Sequence, residues 1–296
     1  MSVKVLVPGP LTTIQDLGRF GYQKSGIPCS GVMDQQAYRA ANELLGNCHG
    51  EAVLEHTLIG GSYYFDSDTV IALTGADMAA SLNGSPCPVG RPVPIRAGDT
   101  LSLGIAKRGC RTYLAAAGGF DVPPVLGSRS TNLKCGFGGY QGRALASGDV
   151  LKLGIPGVPY EKIKENRIPC PDYPSDIIVR VIEGPQAELF TPQGLDTFYS
   201  ASYTVSEQSD RMGCRLNGTA IESIHGTDIV SDGIVFGSVQ VTSSGQPIVL
   251  MADRQTTGGY AKIATVITED LPLLAQARPG DTIYFKKQPF SSGGQL

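Results

Sequence analysis

The chain has 296 residues, a net charge of −3, 17% charged residues, 38 glycines, 20 prolines and no tryptophan. That length suits two domains of ordinary size. The acidic balance, with no basic cluster interleaved with aromatics, excludes a general affinity for nucleic acid or anionic membrane.

Few charges and many turn-forming residues point to a mainly β protein with short strands and a few short helices. The apolar stretch at residues 3–7 is too short for a signal peptide, and no run approaches the ~18 apolar residues a membrane helix needs. The seven cysteines are scattered, odd in number and never spaced as C-x-x-C. They fit reduced thiols in a cytoplasmic protein better than a disulfide frame or zinc site. His49, His56 and His225 lack ligand spacing, so no metal site is expected.

Residues 3–7 read as a first strand, closed by Pro8-Gly9-Pro10. The next stretch, Thr12-Thr13-Ile14-Gln15-Asp16-Leu17-Gly18-Arg19-Phe20-Gly21-Tyr22, is polar and glycine-punctuated, either a surface loop or one wall of a site. The spacing predicts a helix over 34–45. Asp34 caps it, Ala37, Ala41, Leu44 and Leu45 share a face, and Gly46 ends it. From Thr69 the pattern turns to β, with strands at 70–73, 98–103 and 111–115 and a tight Asn83-Gly84 turn. After Gly118-Gly119 comes an irregular stretch whose 136–142 segment is a loop able to act as a lid. A strand returns at 148–153.

Five prolines lie between 155 and 175, a linker composition. Beyond it the sequence predicts a strand at 177–182, a short helix at 185–190 and strands from about Tyr203. A helix at 271–277 capped by Asp270 and a last strand at 281–285 follow. The expected organisation is an N-terminal domain over 1–155, a Pro-rich linker over 156–175 and a C-terminal domain over 176–296.

The halves echo one another. Leu82-Asn83-Gly84 returns as Leu216-Asn217-Gly218, Gly118-Gly119 as Gly258-Gly259, and Gly148-Asp149 as Gly280-Asp281. Three matches in order at similar offsets suggest a tandem duplication into two similar β domains. Against that repeat the second half carries about four surplus residues at 253–256, a polar insertion that packing does not explain.

That insertion opens Asp253-Arg254-Gln255-Thr256-Thr257-Gly258-Gly259-Tyr260, which follows the apolar run Pro247-Ile248-Val249-Leu250-Met251-Ala252. A carboxylate, a guanidinium and an amide at a strand's mouth suit recognition of a small polar anion, and the glycines allow close backbone approach. The plain alternative is a glycine-rich hairpin tip with solvated charges. No P-loop, nucleophile elbow or biotin-carrier stretch is present.

Together Thr13-Ile14-Gln15-Asp16-Leu17-Gly18-Arg19-Phe20-Gly21, Gly31-Val32-Met33-Asp34, Ala41-Asn42, Leu73-Thr74-Gly75-Ala76-Asp77, Gly127-Ser128-Arg129-Ser130-Thr131 and the 253–260 stretch resemble the biotin-dependent carboxyltransferase family. That family includes allophanate hydrolase subunit 2, KipA and the C subunit of 5-oxoprolinase. The resemblance runs from about Val5 to Phe285 and implies two cyclophilin-like β-barrels. It also implies partners, a KipI-like 5-oxoprolinase B subunit and a separate 5-oxoprolinase A subunit. The free-standing form looks most like the C subunit of an ATP-dependent complex that opens 5-oxoproline to glutamate. ATP is then used by the complex and not clearly bound by this chain.

Two alternatives stand beside that one. The first is carboxyl transfer to urea or a similar amide, with carboxybiotin on a biotinylated protein supplied in trans. The second is a KipA-type regulator that antagonises a kinase inhibitor. On the enzymatic reading, Asp253, Arg254, Gln255, Asp16 and Arg19 are expected to be catalytic. Gln15, Thr257, Gly258, Gly259, Tyr260, Arg129, Asp210 and Arg211 are expected to bind substrate, in a pocket between the barrels lined by 13–19 and 253–260. For Asp16, Arg19 and the Asp210-Arg211 pair, a structural ion pair is the competing expectation.

Overall fold

The computed structural model describes residues 1–288, and the chain divides into two compact units. One comprises residues 1–20 and 30–173, the other 21–29 and 174 onward. The segment expected as a linker, 156–175, thus lies almost entirely in the first unit, where it forms the short helix Tyr160–Ile163 with Ile163 buried.

The first unit holds two sheets. The six-stranded sheet runs in the order Val150–Lys152, Ser2–Val7, Ser62–Phe65, Thr100–Ser102, Ser81–Leu82, Ser85–Pro86. The five-stranded sheet runs Thr12–Gln15, Val53–Thr57, Arg111–Ala116, Thr69–Gly75, Pro92–Ile95. Strand residues alternate faces, and both faces of the second sheet are covered. Leu54, Ile71, Leu73 and Leu114 join Val3, Val5, Tyr63 and Phe65 in one core. Their neighbours Val53, Ala72, Tyr113 and Ala115 pack under the helix Gln35–Leu44 with Tyr38, Ala41 and Leu44. Burial on both faces is why the stretches from Val70 to Leu73 and from Tyr113 to Ala116 read as continuous apolar runs. The helix begins as expected, with the Asp34 carboxylate accepting from the Ala37 amide at 2.9 Å.

Asn83 and Gly84, at φ 50° and 80°, make the tight turn between Ser81–Leu82 and Ser85–Pro86. This is the turn that an Asn-Gly pair favours, because both central residues sit at positive φ.

The second unit is a closed barrel in the order Asp176–Glu183, Lys262–Val266, Ser238–Val241, Pro247–Leu250, Gly213–Gly218, Ser202–Val205, Thr282–Lys287. The last strand returns to the first in parallel, from Asp176 opposite Thr282 to Val181 opposite Lys287. Inside, the Phe198 ring stacks on Phe285 at 4.5 Å, beside Tyr203. Phe198 comes from a helix not expected from the sequence, Pro192–Ser200, capped by Thr191 with proline in its first turn. The expected helix at 185–190 is a single 3-10 turn, Ala187–Leu189. The helix Leu271–Gln276 forms, but the Asp270 side chain does not cap it. That carboxylate instead takes the Arg180 guanidinium, Nε–Oδ2 2.9 Å and Nη2–Oδ1 2.6 Å.

The three sequence echoes differ in kind. Gly148-Asp149 and Gly280-Asp281 are the same turn, with glycine at φ 91° and 93° and each aspartate accepting the amide three residues earlier at 2.7 Å. Asn217 and Gly218 lie inside the Gly213–Gly218 strand, and Gly258-Gly259 lie inside Thr257–Tyr260. Neither is the counterpart of the first unit's turn at that motif.

Candidate functional site

In the first unit the motif residues converge on the carboxylate of Asp16. Oδ1 accepts from the Gly18 amide at 2.8 Å and from the Ser128 and Ser130 hydroxyls, each at 2.6 Å. Oδ2 accepts from the Arg129 amide at 2.5 Å. Four donors on a buried carboxylate tie 16–18 to 128–130, segments remote in sequence. On the other side the Val32 amide donates to Asp16 O at 2.9 Å. Gly31, at φ 96°, brings its backbone so close to Leu17 that a Cβ would sit 2.7 Å from the Leu17 carbonyl oxygen. Only glycine fits that approach.

Arg19 is almost wholly buried. Its Nη2 donates to Ser130 O at 2.5 Å and its Nε to Val125 O at 3.4 Å, while the guanidinium lies 4.6 Å from the centre of the Phe137 ring. The Arg129 Nε donates to Val122 O at 3.1 Å. Gln15 donates through Nε2 to Thr13 Oγ1 at 2.9 Å and to Thr131 O at 3.2 Å, and its buried Oε1 has no partner among the described residues. Asp16, Arg19 and Arg129 therefore organise one loop junction, while Gln15 keeps an unused acceptor.

In the second unit Asp253 and Arg211 form a buried, two-pronged ion pair, Nε–Oδ2 2.9 Å and Nη2–Oδ1 3.2 Å. The Asp253 amide also donates to Arg211 O at 2.8 Å. Asp210 does not pair with its neighbour. Its exposed carboxylate closes a turn by accepting from the Met212 and Gly213 amides at 2.8 and 3.1 Å. With Asp253 held this way, Arg254 is turned apart from its neighbour. Its Nη1 reaches Met251 O at 3.3 Å, and its guanidinium lies 5.5 Å from the Phe236 ring centre. Its buried Nε has no acceptor among the described residues. Burial pulls this guanidinium below its ordinary pKa, and the neighbouring Cys29 opposes that shift. The Cys29 sulfur also receives the Gln23 Nε2 at 2.9 Å.

Gln255 and Thr257 are exposed. Thr257, Gly258 and Tyr260 belong to a two-stranded ribbon with Asp228–Gly233, where Gly258 lies opposite Asp232 and Tyr260 opposite Asp228. A Cβ on Gly258 would press on the ends of two side chains, 2.7 Å from Gln240 Nε2 and 2.5 Å from Ile234 Cδ1. Gln240 Nε2 donates to Tyr260 O at 2.9 Å, which fixes the ribbon against the barrel.

Residues 25–287 match the family described as carboxyltransferase domain, subdomain A and B. The chain belongs to that carboxyltransferase family. It is 41% identical to the 5-oxoprolinase C subunit of Escherichia coli over 96% of this chain and 90% of that one. It is 33% identical to the urea amidolyase of Saccharomyces cerevisiae, where the match spans the whole chain but only 17% of the larger protein. Among solved structures, the K. lactis urea amidolyase superposes with a TM-score of 0.87 at 33% identity, covering 96% of this chain and 18% of that one. TTHA0988 gives a TM-score of 0.87 at 36% identity, covering 96% and 55%.

Several residues of this carboxyltransferase chain carry the local architecture without having been singled out in sequence. Ser128 and Ser130 stand in a recognised motif, yet nothing local marks them as ligands of Asp16. Cys29 and Gln23 accompany Arg254 from more than two hundred positions away. Lys262 had one readable signal, a charge at the start of the apolar run Lys262–Val266. It is buried, and its Nζ donates to Asp232 Oδ2 at 2.6 Å and to Gly233 O at 3.1 Å. Among the described residues no group of His, Cys, Asp and Glu could hold a metal ion. Among them, too, no helix is long and apolar enough to cross a membrane.

Proposed function

We propose that this chain is the C subunit of a cytoplasmic, ATP-dependent 5-oxoprolinase complex that opens 5-oxoproline to glutamate. One observation carries the reading. The match to the Escherichia coli C subunit spans nearly the whole of both chains, whereas in the urea amidolyases it spans a small part of a much larger enzyme. The identity is also higher, 41% against 33%, and on this reading the chain works with a KipI-like B subunit and with an A subunit.

Within the chain, Arg254 is the residue we assign to the substrate carboxylate. A half-buried guanidinium whose buried Nε lacks an acceptor among the described residues is suited to an anion that supplies two oxygens in one plane. Asp253 supports it from the Arg211 ion pair, and Gln255 and Thr257 are exposed donors on the same stretch. The remaining candidates of the first unit, Asp16, Arg19 and Arg129, hold the 128–130 segment in place for Gln15 and Thr131.

The glycine-rich 136–142 loop does not fit a triphosphate. Its amides at 136, 139 and 142 are bonded to Asn132 O, Arg129 O and Gly138 O, and a Cβ on Gly138 or Gly139 would run into Ser130 or Thr131. These glycines permit close internal packing, so we assign ATP to a partner in the complex. Glutamate release from 5-oxoproline by the purified three-subunit complex tests the proposal. Release should require ATP and disappear when this chain is omitted.

A second reading, carboxyl transfer to urea or a similar amide, is favoured by the 0.87 TM-score to the K. lactis urea amidolyase. It requires a biotinylated protein in trans. Turnover of urea with that protein, and none of 5-oxoproline, would replace the first reading.

A further inference from the structure

The strand Val150–Lys152 is the outer edge of the six-stranded sheet, and its register with Ser2–Val7 fixes which way each peptide group points. Val5 N donates to Asp149 O at 2.8 Å and Leu153 N to Met1 O at 3.1 Å. In an antiparallel ladder the bonded residues alternate, so 149, 151 and 153 face the sheet. The N–H and C=O of Val150 and Lys152 face outward. Among the described residues the chain itself uses one of these outward groups, Lys152 O, which accepts from the Asp121 amide at 2.9 Å. After that bond the chain turns away through Val122-Pro123-Pro124, where the prolines have no amide to continue the ladder.

The departure leaves a cleft of about 670 Å³ between the edge strand, the 121–125 segment and the 136–142 loop. Val122, Pro123, Val125, Phe137 and Tyr140 line it, with Asp121 and Lys152 as its charged groups. Val150, an apolar residue 49% exposed, is one of its lining residues. Outward amide and carbonyl groups in strand spacing beside apolar walls match one kind of occupant, an extended peptide whose main chain completes the ladder. In TTHA0988 the matched module is 55% of the chain, so close to half of that polypeptide is other sequence that accompanies this fold.

We infer that the outer edge of Val150–Lys152 is the docking site for an extended segment of a companion protein of the complex. That segment adds a seventh strand to the sheet and places an apolar side chain in the cleft. The inference rests on the proposal that this chain works in a complex, and it goes further by naming the contact surface.

Val150→Pro isolates the contact. It deletes the outward amide of residue 150, which the ladder with Ser2–Val7 does not use, and proline is tolerated on an edge strand with that orientation. Val150→Ala keeps the amide and serves as control. Affinity for the purified KipI-like companion, measured by titration calorimetry on the full chain, should fall at least ~10-fold for Val150→Pro and stay within about threefold for Val150→Ala. In the wild-type complex the amides of 150 and 152 should exchange hydrogen more slowly than in the free chain. A folded Val150→Pro chain that binds as wild type overturns the inference. Unchanged exchange at 150 and 152 in the complex does so too, and it decides the matter should the proline variant not fold. Failure of the wild-type chain to bind the companion at all overturns the proposed membership of the complex itself.

Discussion

The carboxylate of Asp253 meets the guanidinium of Arg211 through two hydrogen bonds, 2.9 and 3.2 Å long, with both side chains almost excluded from solvent. The pair joins the start of the 253–260 stretch to the turn before Gly213–Gly218. Breaking a buried ion pair by removing one partner typically costs about 3–5 kcal/mol. Asp253→Ala and Arg211→Ala should each lower stability in chemical denaturation by that order. The double variant should lose less than the sum of the two. Additive losses would show that the two groups do not act as a pair.

Arg254 should behave differently. Its guanidinium is held only by a weak bond to Met251 O at 3.3 Å, a bond with Cys29 and the Phe236 ring at 5.5 Å, none of them an ion pair, so truncation should cost the fold less than breaking the Asp253–Arg211 pair. Arg254→Ala is expected to reduce kcat/KM of the assembled enzyme by at least ~100-fold, the usual scale for losing a charge-stabilising donor. Melting temperature should move by no more than about 2 °C. Arg254→Lys keeps the charge but lacks the planar fork, and should not restore activity. A large loss of stability with activity retained would make the residue architectural.

Sequence was a better guide to segments than to partnerships. The 15–19 and 253–260 stretches stand out by composition and 127–131 by the family resemblance, and each carries buried polar groups in the fold. Their bonding partners lie far along the chain, Ser130 at 114 residues from Asp16 and Arg211 at 42 from Asp253, and no local pattern encodes such a pairing. The same limit explains Asn217-Gly218. The dipeptide favours a turn, but pairing with Ser202–Val205 and Pro247–Leu250 holds Gly213–Gly218 as a continuous strand. Conversely, the helix Pro192–Ser200 has a threonine cap and a first-turn proline, both readable. The glycine at 194 weakens the helical signal, and it is there because a Cβ would run into the Glu222 carbonyl.

Asp16 offers a test of the first unit's motif. Its two oxygens accept four hydrogen bonds, from Gly18, Ser128, Ser130 and Arg129. Asp16→Asn retains the shape but turns one acceptor into a donor facing other donors. A loss of roughly 2–4 kcal/mol is expected, because several charge-assisted bonds are spoiled at once. Limited proteolysis should then cut first near 126–129, where the released loop becomes accessible. Full stability in this variant would mean that the carboxylate is held for chemistry and not for the loop.

His56 should make the first unit sensitive to acid. It is fully buried, with Nδ1 3.2 Å from Thr112 O and Nε2 2.7 Å from the Tyr63 hydroxyl. The carbonyl requires a proton on Nδ1, so Nε2 accepts from the tyrosine and the ring is neutral. Burial pushes its pKa from 6.5 down to about 4, against smaller opposing effects of the Thr112 carbonyl and Glu55. Above about pH 6.5 the imidazole is neutral whether the chain is folded or not, and its contribution is constant. Between about pH 6.5 and 4 the unfolded chain binds a proton that the folded chain refuses, so stability falls as pH falls. Below about pH 4 both states are protonated and the loss levels off at about 3 kcal/mol. Denaturation midpoints for the wild-type chain and for His56→Gln should therefore converge as pH drops from 7.5 to 4, the variant being less stable at neutral pH but lacking this slope. Parallel pH profiles would place the acid sensitivity elsewhere.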